Sequence, residues 1–285
     1  MKKAINSLVV IVVTLLFTSV NAQSLKAMTY NIRLDVASDG INAWPLRKDF
    51  FASQIQFYEP DILGVQEAMP HQVEDLEQLL PQYKQVGMGR EGVGKGESSN
   101  IFYKKEMFKV LQTSTFWLSE TPELISMGWD AACHRVCTYA LFQEVKTNQL
   151  FWVFNTHLDH IGNQARTKGL ELILSKIKQL NTKNQAVILM GDFNSEPHEE
   201  RIVALKKVMN DTRDISMNKP FGPSGTFNNF EHNTAVTALI DYIFIAKKSN
   251  LKVKKYAILS DSKDLKYPSD HLPVYVELFF HNNNN

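Results

Sequence analysis

The chain has 285 residues, enough for one large domain or two small ones around a sizeable core. Its composition (44% hydrophobic, 11% aromatic, 21% charged) excludes a disordered or low-complexity chain. With 31 basic against 30 acidic residues the net charge is +1, so no global positive field exists to hold a polyanion such as DNA, although a local basic cleft stays open as a reading.

Lys2 and Lys3 precede an apolar run, Leu8 to Phe17, broken only by Thr14. Val20 and Ala22 then stand at the small-residue positions of a cut after Ala22. This is the pattern of a secretory signal over residues 1–22, and the run is shorter than the ~20 residues that cross a bilayer. The expected mature chain is therefore exported, to the periplasm or the medium, without stable membrane insertion. Residues 23–280 read as one domain, and 281–285 as a disordered polar tail.

Within the domain, strand and helix patterns first alternate. Leu25 to Ile32 reads as a strand, Arg47 to Tyr58 as a helix stopped by Pro60, and Asp61 to Gln66 as a short apolar strand. His71 to Leu80 carries Val73, Leu76, Leu79 and Leu80 at helical spacing, and Tyr83 to Gly87 begins another strand. The glycine-rich stretch Gly87 to Gly96 lacks the spacing and the ending of a nucleotide-binding loop and reads as a flexible loop. Asn100 to Tyr103, Phe108 to Trp117, Val136 to Lys146 and Leu150 to Thr156 are rich in β-branched and aromatic residues, with a hairpin turn at 146–149. A long helix follows, its stripe made by Leu170, Ile173, Leu174, Ile177 and Leu180. The remaining strands are Ala186 to Met190, Leu239 to Ile245, Leu251 to Leu259 and Val274 to Phe280. Roughly ten strands with a few amphipathic helices predict an α/β fold of two packed sheets flanked by helices. Cys133 and Cys137 are four residues apart, about 13 Å at strand rise, so two free thiols are expected rather than a disulfide or a zinc site.

The chemistry lies where apolar strands stop. Asn31, Glu67, His157 and Asp192 each close an apolar run; Asp241 lies among Ile240 and Ile243; Asp270 and His271 precede the last strand. A single such residue is ordinarily a turn residue. Asp241 is different, because a carboxylate among isoleucines is costly to bury unless paired or metal-bound. The whole set points to one constellation on one edge of a sandwich. Carboxylates and an amide carbonyl select hard cations such as Mg²⁺, Mn²⁺ or Ca²⁺. Such a cation offsets phosphate charge, a carboxylate can orient water, and imidazoles can donate to a charged transition state.

In these residues the chain resembles the endonuclease/exonuclease/phosphatase superfamily, and the segments 115–122, 128–130 and 135–138 resemble an exported bacterial branch of it. The pieces are Thr29-Tyr-Asn31, Gln66-Glu67, Thr156-His157, Gly191-Asp-Phe-Asn194, Ile240-Asp-Tyr-Ile-Phe244 and Ser269-Asp-His-Leu-Pro273. The resemblance implies a four-layer α/β/β/α sandwich with two packed mixed sheets. It implies that Asn31, Glu67 and Asp270 hold the metal, that Asp192 and Asn194 position water and phosphate, and that Asp241 orients His271 at the scissile phosphate. By the same resemblance His157 binds a phosphate oxygen or assists the leaving group, and Glu97 is a supporting carboxylate expected to pair with His157. Arg135 is a candidate for reaching the substrate phosphate. Trp129 reads either as a stacking surface or as a core residue, His160 carries no assigned role, and Asp159 reads as a turn or orienting residue. Arg33 stands where abasic-site endonucleases carry an Asp, which argues against a DNA-repair role.

The expected function is hydrolysis of phosphoesters, with a small or medium phosphorylated substrate as partner. A secreted nuclease acting on DNA or RNA is the alternative within the superfamily. A catalytically silent phosphate- or sugar-binding protein is the alternative of another class.

Overall fold

The computed structural model describes residues 24–281. The expected signal segment and Asn282 to Asn285 lie outside the described residues.

Two six-stranded sheets form the centre. The first contains β1 (Ser24–Asn31), β2 (Ile62–Gln66), β3 (Tyr83–Val86), β4 (Ile101–Lys104), β11 (Leu251–Ile258) and β12 (Val274–Phe280), in the order β11-β12-β1-β2-β4-β3. The second contains β5 (Phe108–Trp117), β6 (Val136–Glu144), β7 (Leu150–His157), β8 (Ala186–Asp192), β9 (Met209–Asp211) and β10 (Asp241–Ala246), in the order β5-β6-β7-β8-β10-β9. Both sheets are mixed, and the predicted four-layer sandwich is the observed fold.

Each sheet is built around one parallel pair with a helical crossover. α1 (Trp44–Tyr58) joins β1 to β2, and α3 (Asn163–Leu180) joins β7 to β8. A parallel pair requires such a crossover, because a hairpin cannot return the chain in the same direction. α1 and α2 (Pro70–Leu79) cover the first sheet, with Trp44, Phe51, Ile55 and Leu76 buried against Tyr30, Leu63 and Val65. Between the sheets Ala27, Ile62 and Val276 meet Phe142, Val153 and Leu189 in the main core, which Leu170 and Ile173 of α3 extend.

Several boundaries differ from the sequence reading. α1 starts at Trp44 because Pro45 is tolerated in a first turn, where no intrahelical N–H is needed. α4 (Glu200–Val208) and the three-residue β9 were not anticipated: α4 buries few apolar residues, and β9 is shorter than the alternation that reveals a strand. The stretch 87–98 is a structured hairpin, with bridges from Gly89 to Gly92 and Ser98. Both cysteines are free thiols, Cys137 buried in β6 and Cys133 half-buried.

Gly191 shows how tightly this edge of the second sheet is built. Its φ is 145°, and a Cβ there would stand 1.9 Å from the Thr156 carbonyl oxygen on β7. Gly191→Ala is expected to cost roughly 2–4 kcal/mol of stability. A urea melt checks this, and an unchanged midpoint would contradict the close approach.

Candidate active site

Strand direction gathers the polar residues. β1 and β2 run parallel, so Asn31 and Gln66 arrive together, with Glu67 one residue on. β7 and β8 do the same in the second sheet, pairing His157 with Asp192. β10 runs antiparallel to β8 and begins where β8 ends, which sets Asp241 opposite Asp192. Asp241 is thus the first residue of its strand, not an interior one as the sequence suggested. β12 is antiparallel to β1, so Ser269 to His271 reach the same edge. Ligand sites in such sheets form at the carboxyl ends of parallel strands. Here a cleft of about 650 Å³ opens there.

His271, on the turn that leads into β12 of the first sheet, sets its Nδ1 2.8 Å from Asp241 Oδ2 of the second. A carboxylate only accepts, so Nδ1 carries the proton and Nε2 faces the cleft, 3.8 Å from Asp192 Oδ2. Burial works against a charged His271, but Asp241, Asp192 and Asp270 outweigh it and hold its pKa well above the ordinary value. Burial and the neighbouring Asp241 push Asp192 up to about 7. Asn194 sits at φ 43°, which Asn tolerates, and its backbone N–H donates to Asp192 Oδ1 at 2.8 Å. Its side-chain amide donates to the Leu158 carbonyl at 3.0 Å, which fixes the amide's orientation. The same Nδ2 therefore donates to His157 Nε2, also at 3.0 Å, making that ring nitrogen an acceptor. Burial, reinforced by Arg135 and His271, holds the His157 pKa well below the ordinary value, consistent with a neutral ring.

In the first sheet, Asn31 Nδ2 lies 3.0 Å from both Glu67 Oε1 and Asp192 Oδ2, so it bridges the sheets. Its carbonyl oxygen accepts the Arg33 backbone N–H at 3.0 Å. Asn31 thus turns its donor, rather than its carbonyl, toward the carboxylates. Glu67 occupies φ 63° and accepts the Leu34 N–H at 3.0 Å. Burial, with Glu67 as a like-charged neighbour, raises the Asp270 pKa. Arg47 of α1 ties the two loops together: its buried guanidinium donates to the carbonyls of Ile32, Arg33 and Pro268. Ser269 Oγ adds a 2.7 Å bond to the backbone carbonyl of Asn31.

The cleft is also lined by Arg33, Arg90 and Arg135. Each is already paired: Arg33 with Asp39 at 2.9 Å, Arg90 with Glu97 at 2.6 Å, and Arg135 with Asp159 at 3.4 Å. Glu97 therefore pairs with Arg90, not with His157 as the sequence reading expected. The physical reason is that residues 90 and 97 face each other across the hairpin, with the Arg90 N–H donating to the Glu97 carbonyl, while His157 is engaged by Asn194. His160 lines the cleft and accepts from Arg135 at 2.9 Å. Asp159 is an orienting residue, accepting the N–H groups of Ile161 and Gly162. Trp129 is half-buried and is not among the residues lining the cleft.

Donor chemistry fits a hard divalent cation. The donor atoms of Asp192, Asp241 and His271 lie within 4.8 Å of one another, and Asp241 Oδ1 is buried without a hydrogen-bond partner. Glu67 and Asp270 add carboxylates from the first sheet. Oxygen-rich sets of this kind select Mg²⁺ or Mn²⁺ over soft metals. A second cluster, Cys133, Asp159 and His160, is taken up by Arg135, which bonds both Asp159 and His160.

Sequence reasoning did not single out Arg47 or Asn155, and it quoted Gln66 only as the neighbour of Glu67. Gln66 Nε2 donates to Asn155 Oδ1 at 2.6 Å across the buried sheet interface. A polar residue in the middle of an apolar strand was the signal available for Asn155.

Comparisons with known proteins follow the same lines. Residues 28–271 match the model of the Endonuclease/Exonuclease/phosphatase family. A solved family protein from Bacteroides thetaiotaomicron is 37% identical, with a TM-score of 0.86 over 91% of this chain and 98% of that one. A mannosyl-6-phosphatase from the same organism is 38% identical, with a TM-score of 0.85 over 90% of this chain and 100% of that one. An uncharacterised protein of Acanthamoeba polyphaga mimivirus is 28% identical over 82% of this chain and 91% of its own length.

Proposed function

Because this chain belongs to the endonuclease/exonuclease/phosphatase family, we propose that it is an exported, divalent-metal-dependent hydrolase of small phosphorylated compounds, with phosphorylated sugars as the leading class. The observation that carries this reading is the pairing of every cleft-lining arginine with a carboxylate. A nucleic-acid track needs unpaired cations along successive phosphates, with counterion release as its driving force. A compensated cleft of this size suits a compact substrate with one phosphate. The 38% identity to a mannosyl-6-phosphatase supports the sugar class, and the pattern of residues 1–22 supports export. Among the described residues no helix is long and apolar enough to cross a membrane.

Glu67 and Asp270 would hold Mg²⁺ or Mn²⁺, with Asn31 spacing Glu67 from Asp192. The cation supplies charge neutralisation at the phosphate and at the leaving oxygen. Asp192, fixed by Asn31 and the Asn194 N–H, orients the attacking water and receives its proton. The water oxygen bonds to phosphorus as the ester P–O bond breaks, and the leaving oxygen takes a proton from solvent to depart as the alcohol. Asp241 holds His271 so that Nε2–H points at a phosphate oxygen, the arrangement in which a buried carboxylate fixes an imidazole tautomer. Asn194 and His157 border the phosphate on the other side, and Arg135 lines the same cleft.

Initial rates on a hexose 6-phosphate, bis-p-nitrophenyl phosphate, DNA and RNA at two salt concentrations test the substrate class. The hexose phosphate is expected to give the highest kcat/KM. A preference for nucleic acid with a steep salt dependence would move the assignment to a nuclease.

A further inference from the structure

We propose that the Arg90–Glu97 pair is a subsite for sugar hydroxyls, reading the part of the substrate beyond the phosphate. This deepens the phosphorylated-sugar reading above and rests on it.

The pair is displayed by a hairpin that other contacts hold in shape. Gly89 bridges Gly92 and Ser98, and a Cβ on Gly89 would stand 1.9 Å from the Lys95 carbonyl oxygen. Trp117 Nε1 donates to the Arg90 carbonyl at 2.7 Å, and Glu91 engages His134 at 2.8 Å on the far side. Ser98 fastens the base of the hairpin through bonds from its N–H and Oγ to the Ala68 carbonyl. The hairpin is thus anchored independently of the Arg90–Glu97 side-chain contact, and both residues line the cleft together with Glu67 and His157.

Placing an ion pair in a cleft wall carries a desolvation cost that the pair's own attraction offsets only in part. Burial raises the Glu97 pKa even with Arg90 beside it. The pair sets a strong donor and a strong acceptor side by side. A second phosphate would meet Glu97 as a like charge, whereas adjacent hydroxyls of a sugar ring each donate and accept, so one can give to the carboxylate while its neighbour takes from the guanidinium. The pair therefore selects a neutral polyol over a second anion.

The test compares wild type with Glu97→Gln and Arg90→Lys on a hexose 6-phosphate and on p-nitrophenyl phosphate, with folding checked by circular dichroism. Each substitution is expected to lower kcat/KM at least tenfold more for the hexose ester than for the aryl ester, mainly through KM. Equal losses on both esters would place Glu97 at the phosphate and overturn the subsite. Wild type alone supplies a second measurement, independent of whether the variants fold: the hexose 6-phosphate should exceed n-hexyl phosphate at least tenfold in kcat/KM, and parity would overturn the subsite. If wild type hydrolyses p-nitrophenyl phosphate but neither of these two alkyl esters, the phosphorylated-sugar reading itself fails, a result distinct from parity between them.

Discussion

Replacing His271 by Ala is expected to lower kcat by about three orders of magnitude, within the range for removing a group that stabilises transition-state charge. The geometry makes the loss specific. Asp241 fixes Nδ1 at 2.8 Å, so Nε2 has one direction available, into the cleft beside Asp192. Asp241→Asn keeps the side chain's shape but offers its neighbour a donor as well as an acceptor, and the His tautomer is no longer imposed. A loss of about a hundredfold is expected there, the lower end of what a positioned acid–base group contributes. His271→Ala also leaves the buried Asp241 carboxylate without its partner, which should cost about 1–3 kcal/mol of stability. Rates are therefore measured well below the melting transition, with kcat from full saturation curves. Full turnover by folded His271→Ala would remove His271 from the chemistry.

The second large effect concerns the first sheet. Mg²⁺ at about a hundred times its dissociation constant is expected to stabilise the wild-type chain by about 2.7 kcal/mol, which is a rise in Tm of about 5–10 °C for a domain of this size. Glu67→Gln and Asp270→Asn should each abolish most of that rise, because each removes a charged oxygen donor from the cleft. Asp270→Asn should also relieve a like-charge contact, since Glu67 is one cause of its raised pKa. The variants without metal should therefore melt at or above wild type, while their response to Mg²⁺ is lost. A Tm that rises equally with Mg²⁺ in all three chains would show that the cation sits elsewhere.

The layers and most of the edge constellation were legible in the sequence because they depend on strong, local signals. Apolar runs ending in Asn31, His157 and Asp192 mark both the strand and the point where it stops. Ser269-Asp-His marks the turn into β12. The antiparallel return of β10 was not legible, and so Asp241 read as interior to a strand when it opens one. Partners also escaped the sequence. Glu97 was matched to His157 by likeness to relatives, yet the hairpin places Arg90 opposite it and Asn194 takes the imidazole. Arg47 lies on a helix whose pattern reads as ordinary packing, and only the fold brings it under both the Asn31 and the Asp270 loops. Pairings across the chain depend on topology, and a single sequence carries little of that.

The most direct test of the central claim is phosphate release from a hexose 6-phosphate by the chain starting at residue 23, followed through one cycle of metal removal. Asp192→Asn is run beside it. The rate should be high in Mg²⁺, fall to background in excess chelator, and return when Mg²⁺ is restored, while the variant stays at background throughout. Undiminished release in chelator, or turnover by Asp192→Asn at the wild-type rate, would contradict a metal- and Asp192-dependent hydrolase at this edge of the sandwich.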